Sequence, residues 1–198
     1  MILKNTKLRN RLKEILKKNK EVEDILLFGS AARGKEEPAD LDILVLFKDK
    51  INKNVEHSIR KEIEKEHEKI SIISKNKDTA LDSSFDARES ILFEGISLIT
   101  GENIAKTYGF DSLGMFKYGF KGWTKVKRIK FYHALNGRDK SGGILQSLNC
   151  VKASDGIILA PLDKIEPMRS FLDSWKIEYK YIPTLIPERF NKKQILEP

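Results

Sequence analysis

The chain has 198 residues and a formal net charge of +8, room for one ordinary domain or a compact domain with a smaller companion. With 40% hydrophobic and 9% aromatic residues it can bury a core, which excludes a disordered chain. No apolar run approaches the roughly 20 residues of a membrane-spanning helix, and the opening MILKNTKLRN lacks the apolar centre of a signal peptide, so a cytoplasmic location is expected.

Leu8, Leu12, Ile15 and Leu16 recur at helical spacing among lysines and arginines, which predicts an amphipathic helix over 7–19 with Thr6 as its N-cap. The apolar runs 25–28 and 41–47 read as strands buried on both faces. Val55, Ile59 and Ile63 predict a helix within 52–68, and residues 70–74 a third strand. The polar segment KNKDTALDSSFDARE reads as a loop with room for one helical turn. Residues 90–99 read as a helix turning into a short closing strand, and a domain boundary is placed near residue 110. Beyond it the expectations are a strand over 115–120, a helix capped by Thr124 and ended at Asn136-Gly137, and a short helix over 144–148. A hairpin over 151–160 turning at Asp155-Gly156, a helix capped by Asp163 that ends near Trp175, and a strand over 177–182 complete the chain. Helix, short helix and hairpin together are compatible with a winged-helix outline.

Charge is unevenly distributed: +7 over residues 1–20, −6 over 21–110 and +7 over 111–198. An acidic, metal-holding site framed by surfaces that attract a polyanion would have this pattern. A surface rich in Lys and Glu, of the kind thermophiles carry, would have it too. Cys150 is the only cysteine, which excludes an intramolecular disulfide and a cysteine zinc site within one chain.

The most informative stretch is LLFGSAARGKEEPADLDILVLF, residues 26–47. Residues i and i+2 of a strand share a face, so Asp40 and Asp42 would set two carboxylates side by side. Such a pair repels itself unless a cation lies between, and Mg²⁺ takes oxygen ligands that it shares with substrate phosphates. Gly29 lets backbone approach a ligand closely, and Ser30 adds a hydroxyl and amides for a phosphate. Strand, Gly29-Ser30, nine residues, then Asp40-Leu41-Asp42 resembles the polymerase-β-like nucleotidyltransferase superfamily, and its minimal members in particular.

The resemblance covers about residues 7–105. It implies an α/β (α+β) fold with a mixed sheet and flanking helices over 1–110, and the residues beyond read as a small basic α/β domain over 111–198. It also implies Asp40 and Asp42 as catalytic metal ligands for Mg²⁺ or Mn²⁺, with a nucleoside triphosphate, ATP first, held by Gly29, Ser30, Arg33 and Lys35. The family further uses a carboxylate from a later strand as ligand and general base. Here that strand reads HEKISIIS, with Ser71 or Ser74 at the place of the acid, while Glu66, Glu68, Asp78 and Asp82 lie nearby.

In the second half, Lys121, Lys125, Lys127, Arg128, Lys130 and Arg138 interleave with Phe116, Tyr118, Phe120, Trp123, Phe131 and Tyr132. Cations with stackable rings suit a nucleic-acid surface, and rings turned inward with lysines outward suit a core. Both readings stand. Arg128 and His133 match the arginine, four residues, histidine spacing of the HEPN ribonucleases; that family is all-α, and this segment is rich in glycine and in runs that read as strands, so His133 is read as a lone residue. The expected function is transfer of a nucleoside monophosphate to RNA or protein. The alternatives are a nucleic-acid-binding or antitoxin-like regulator that has kept the fold, and nucleotidylation of a small molecule.

Overall fold

The computed structural model describes residues 2–138 and 141–190. The chain divides into two compact units, residues 1–108 and 109–198.

In the first unit, α1 (Thr6–Lys18) is capped by Asn5, whose side chain accepts from the Leu8 amide; Thr6 is the first helical residue and not the cap. Two candidate cap residues stand in a row, and the structure uses the earlier one. Strand β1 (Val22–Phe28) runs into the four-residue α2 (Gly29–Ala32), and β2 (Leu41–Phe47) returns antiparallel to β1. Helix α3 (Lys53–Glu64) then crosses to β3 (Ile70–Asn76), which is parallel to β2. The expected loop contains α4 (Lys77–Ala80), followed by α5 (Arg88–Glu94), β4 (Ile96–Ser97) and α6 (Ile104–Thr107). The mixed sheet has the order β3-β2-β1-β4.

Strand alternation divides the apolar residues between two layers. Ile25, Leu27, Ile43 and Val45 share one face, and Leu8, Leu12, Val55, Ile59 and Ile63 of α1 and α3 are buried with them. Each such side chain contributes about 1.5–3 kcal/mol of transfer free energy. On the other face, Leu26, Phe28 and Leu44 pack with Ile91, Ile73, Phe85 and Ile104. That second layer exists because β1 and β2 are apolar at both parities, and it brings the end of α5 to the site described below.

The second unit is a four-stranded antiparallel sheet of β5 (Phe110–Tyr118), β8 (Val151–Ser154), β9 (Ile157–Pro161) and β10 (Tyr179–Pro187), ordered β10-β5-β9-β8. Between β5 and β8 lie α7 (Lys125–Asn136), the two-residue β6 (Gly137–Arg138) and β7 (Ser141–Gly142), and α8 (Ile144–Ser147). The helix α9 (Ile165–Ser174) precedes β10. Thr124 caps α7 as expected, through the Lys127 amide. Asp163 does not cap α9: a 3₁₀ turn (Leu162–Lys164) leads into it, and the Asp163 carboxylate pairs with Lys164 at 2.8 Å. The helix, short helix and hairpin expected of a winged outline are present, but the hairpin belongs to this larger sheet through β9 and β5.

Phe131 is fully buried at the centre of the unit. Its ring meets those of Tyr118, Phe120, Trp123, Tyr132, Phe171 and Trp175 at centroid distances of 5.5–6.2 Å. These edge-on and tilted contacts are the arrangement that ring quadrupoles favour.

Candidate active site

Strand β1 ends at Phe28, paired in register with Asp42, so the turn into α2 passes directly over the start of β2. Gly29 takes a left-handed φ of +74°, and a methyl placed on it would lie 2.3 Å from Asp42 Oδ2. The Asp42 carboxylate therefore lies against the glycine Cα, an approach that no side chain permits. Strand β2 begins at Leu41, so Asp40 stands in the bend just ahead of the ladder, exposed, while Asp42 is half-buried. The shared-face argument thus applies to Asp42 alone, yet the charge of Asp40 still reaches it. Burial first, and then Asp40, push the Asp42 carboxyl above its usual range, while Arg33 opposes them.

Arg33, expected to meet phosphate, has its Nη1 committed to Glu94 Oε2 at 2.5 Å. Glu94 is 5% exposed at the end of α5. This pair ties the glycine-serine turn to the second core layer, and it places a positive charge beside Asp42. Sequence reading missed Glu94, because the partners are 61 positions apart and an acid ending a helix carries no signal of a distant arginine. Lys35 is exposed, and its amide donates to the Ser30 carbonyl.

The two serines of β3 separate clearly. Ser71 is in register with Asp42 and so shares its face, whereas Ser74 turns away and donates to Glu56 Oε2 of α3 at 2.5 Å. The nearby acids stand elsewhere. Glu66 pairs with Arg11, Asp82 accepts from Ser84, and Glu68 and Asp78 are exposed in the α3–β3 connection and in α4. Among the described residues no group of three or more His, Cys, Asp or Glu could hold a metal ion. Asp40 and Asp42 nonetheless fit a hard divalent cation as a two-residue oxygen donor set, one whose other ligands come from water and phosphate oxygens. Their mutual repulsion is what such an ion would relieve.

In the second unit the cations divide into two groups. Lys127 lies 3.7 Å from the Trp123 ring centroid, and Arg128 donates to the Trp123 and Phe120 carbonyls at 3.2 and 3.3 Å. Both are held by the aromatic cluster. Lys121, Lys125, Lys130 and Arg138 are exposed, as is His133 on α7. Phe116, Tyr118 and Phe131 are buried, Phe120, Trp123 and Tyr132 are half-buried around them, and Lys121, Lys125 and Lys130 are surface.

The family model described as "Polymerase beta, Nucleotidyltransferase" matches residues 10–99. No curated protein matches the chain. Among solved structures, a crystal structure of a mutant toxin-antitoxin MntA-HpeT is similar at 17% identity, over 50% of this chain and 83% of that one, with a TM-score of 0.35. Residues 10–99 of this chain thus match a nucleotidyltransferase domain of the polymerase-β type.

Proposed function

We propose that the protein transfers a nucleoside monophosphate from a nucleoside triphosphate, with ATP the first candidate, to a hydroxyl of RNA or of a protein. The observation that carries this reading is the Asp42 carboxylate lying against the Cα of Gly29, with Ser30 next in the chain and Asp40 two residues before it. A triphosphate laid along that turn meets the Ser30 hydroxyl and the positive charge of Lys35. Asp40 and Asp42 would hold Mg²⁺ or Mn²⁺, which neutralises triphosphate charge and polarises the α-phosphorus.

In the transfer, the acceptor oxygen bonds to the α-phosphorus and the bond to pyrophosphate breaks. The hydroxyl proton passes to water or to a phosphate oxygen of the substrate, because the β3 residue in register with Asp42 is Ser71, which carries no carboxylate. Positioning and electrostatic stabilisation would then supply most of the rate. Lys121, Lys125 and Lys130 offer a polymeric acceptor three exposed cations.

Ser71 beside Asp42 also favours a second reading, a domain that has kept nucleotide affinity with little transfer and acts as a nucleic-acid-binding regulator. One experiment separates the two: incubation of α-labelled nucleoside triphosphates and Mg²⁺ or Mn²⁺ with total RNA and protein, comparing wild type with Asp40→Asn/Asp42→Asn. Label that appears only with the wild type supports transfer and names the acceptor class. No label above the variant, from folded protein that still binds RNA, supports the regulator.

A further inference from the structure

The sheet face that carries Asp42 holds a second concave feature at its other end. A cavity of about 400 Å³ opens there, entirely within the first unit, and small-molecule pockets span about 300–1,000 Å³. Leu26, Leu44, Ile91 and Ile104 give it apolar walls, and Leu81 and Tyr108, both exposed, flank it. Its charged side chains are Glu23, Asp24 and Lys77. Asp24 stands opposite Leu46 in register, four residues before Phe28 on the same strand and face. At about 3.3 Å per residue it is roughly 13 Å from the Asp42 end, with Leu26 and Phe28 packed between.

Asp24 is held in place by one of its oxygens. Oδ1 accepts from Ser97 Oγ at 2.8 Å and from the Ile25 amide at 2.7 Å, while Oδ2 has no hydrogen bond among the described residues. The one cation of the lining, Lys77, pairs with Glu23 Oε1 at 3.0 Å. The cavity lining thus carries one positive and two negative side chains, with the negative charge of Asp24 uncompensated against apolar walls. Burial accordingly pushes the Asp24 carboxyl above its usual range. A carboxylate fixed in such surroundings is stabilised by a cation brought to it, and the leucine and isoleucine walls bury apolar surface attached to that cation.

We propose that this cavity binds a small organic ammonium ion, with its charged nitrogen on Asp24 Oδ2 and its apolar body against Leu26, Leu44 and Ile104. The site is distinct from the transfer centre and does not depend on Asp40 or Asp42.

Phenethylamine, 2-phenylethanol and phenylacetate have similar shapes and carry positive, no and negative charge. Each is titrated into the full chain, with binding followed by amide chemical shifts. The expected result is saturable binding of phenethylamine at least about tenfold tighter than of phenylethanol, with phenylacetate weakest and the shifts centred on residues 23–26 and 104–108. Asp24→Asn, whose amide oxygen can still accept from Ser97, should abolish the preference for the amine. Thr107→Trp, which narrows the cavity without touching Asp24, should weaken all three ligands. Asp40→Asn/Asp42→Asn should bind as wild type does. Equal affinity for the three ligands, no saturable binding, a preference that survives Asp24→Asn, or binding lost in the Asp40/Asp42 variant would each overturn the proposal.

Discussion

The first unit is built on aliphatic side chains and carries Asp24 and Asp42 on one sheet face, whereas the second is built on interlocking rings and carries cations outside them. The contrast separates two kinds of sequence signal. In the first unit the informative feature is a spacing, Gly29 to Asp42, and folding turns it into a contact between a glycine Cα and a carboxylate. In the second it is a composition, rings among lysines, and folding takes it apart: the rings meet around Phe131, Arg128 and Lys127 attach to them, and Lys121, Lys125 and Lys130 remain outside. A spacing encodes a geometry, and a composition does not.

The largest effect that tests this contrast is expected from Phe131→Ala, which removes the shared neighbour of six rings and should cost the second unit about 3–5 kcal/mol. Trp123 and Trp175, the only tryptophans, both lie in that unit. Their fluorescence in a denaturant titration therefore reports its midpoint alone. An equal fall in the transition of the first unit, followed by amide exchange of β1 and β2, would break the division between the two.

Glu94→Gln should come next, at about 2 kcal/mol, because a buried charge-assisted bond to Arg33 becomes a neutral one. The loss belongs in the first unit, and hydrogen exchange across α2 and α5 would locate it. Gly29→Ala should cost about 1–2 kcal/mol through its left-handed backbone. The same methyl displaces Asp42, so transfer or nucleotide affinity should fall far more than stability does. A variant with unchanged nucleotide affinity would sever the glycine from the site.

The smallest expected effect concerns pH. Burial and Asp40 hold the Asp42 carboxyl above its usual range, so the folded state binds that proton more tightly than the unfolded chain. The stability this gives is complete below the ordinary carboxylate range and is lost as pH rises through the raised value. Asp42→Asn should accordingly raise Tm slightly at neutral pH in the absence of divalent ions and leave it unchanged in acid. Thermal unfolding at the two pH values checks this, and a lower Tm for the variant at neutral pH would contradict it.

What could be read beforehand follows from how local each signal is. The strand of residues 41–47 was legible to the residue, since Ile43 to Phe47 is an unbroken apolar run directly after the two aspartates and before Lys48. The expected strand over 177–182 starts two residues early and ends five early: β10 runs from Tyr179 to Pro187, and Pro183 and Pro187 conceal its end because proline argues against strands except at a sheet edge. The expected strand over 115–120 is likewise β5, which starts at Phe110 behind polar Asp111 and Ser112. Ser71 and Ser74 were indistinguishable in sequence, and only the register with β2 decides which one stands beside Asp42. Glu94 was invisible because its meaning lies wholly in a tertiary contact.

The prolines of β10 have a consequence for how the protein behaves in a crowded solution. An edge strand of nine residues is long enough to recruit another chain by backbone pairing, the first step toward fibres or swapped dimers. Pro183 and Pro187 bring no amide hydrogen to that edge, and Lys180 is exposed on the same strand. The segment that is hardest to recognise as a strand is thereby a poor template for further strands.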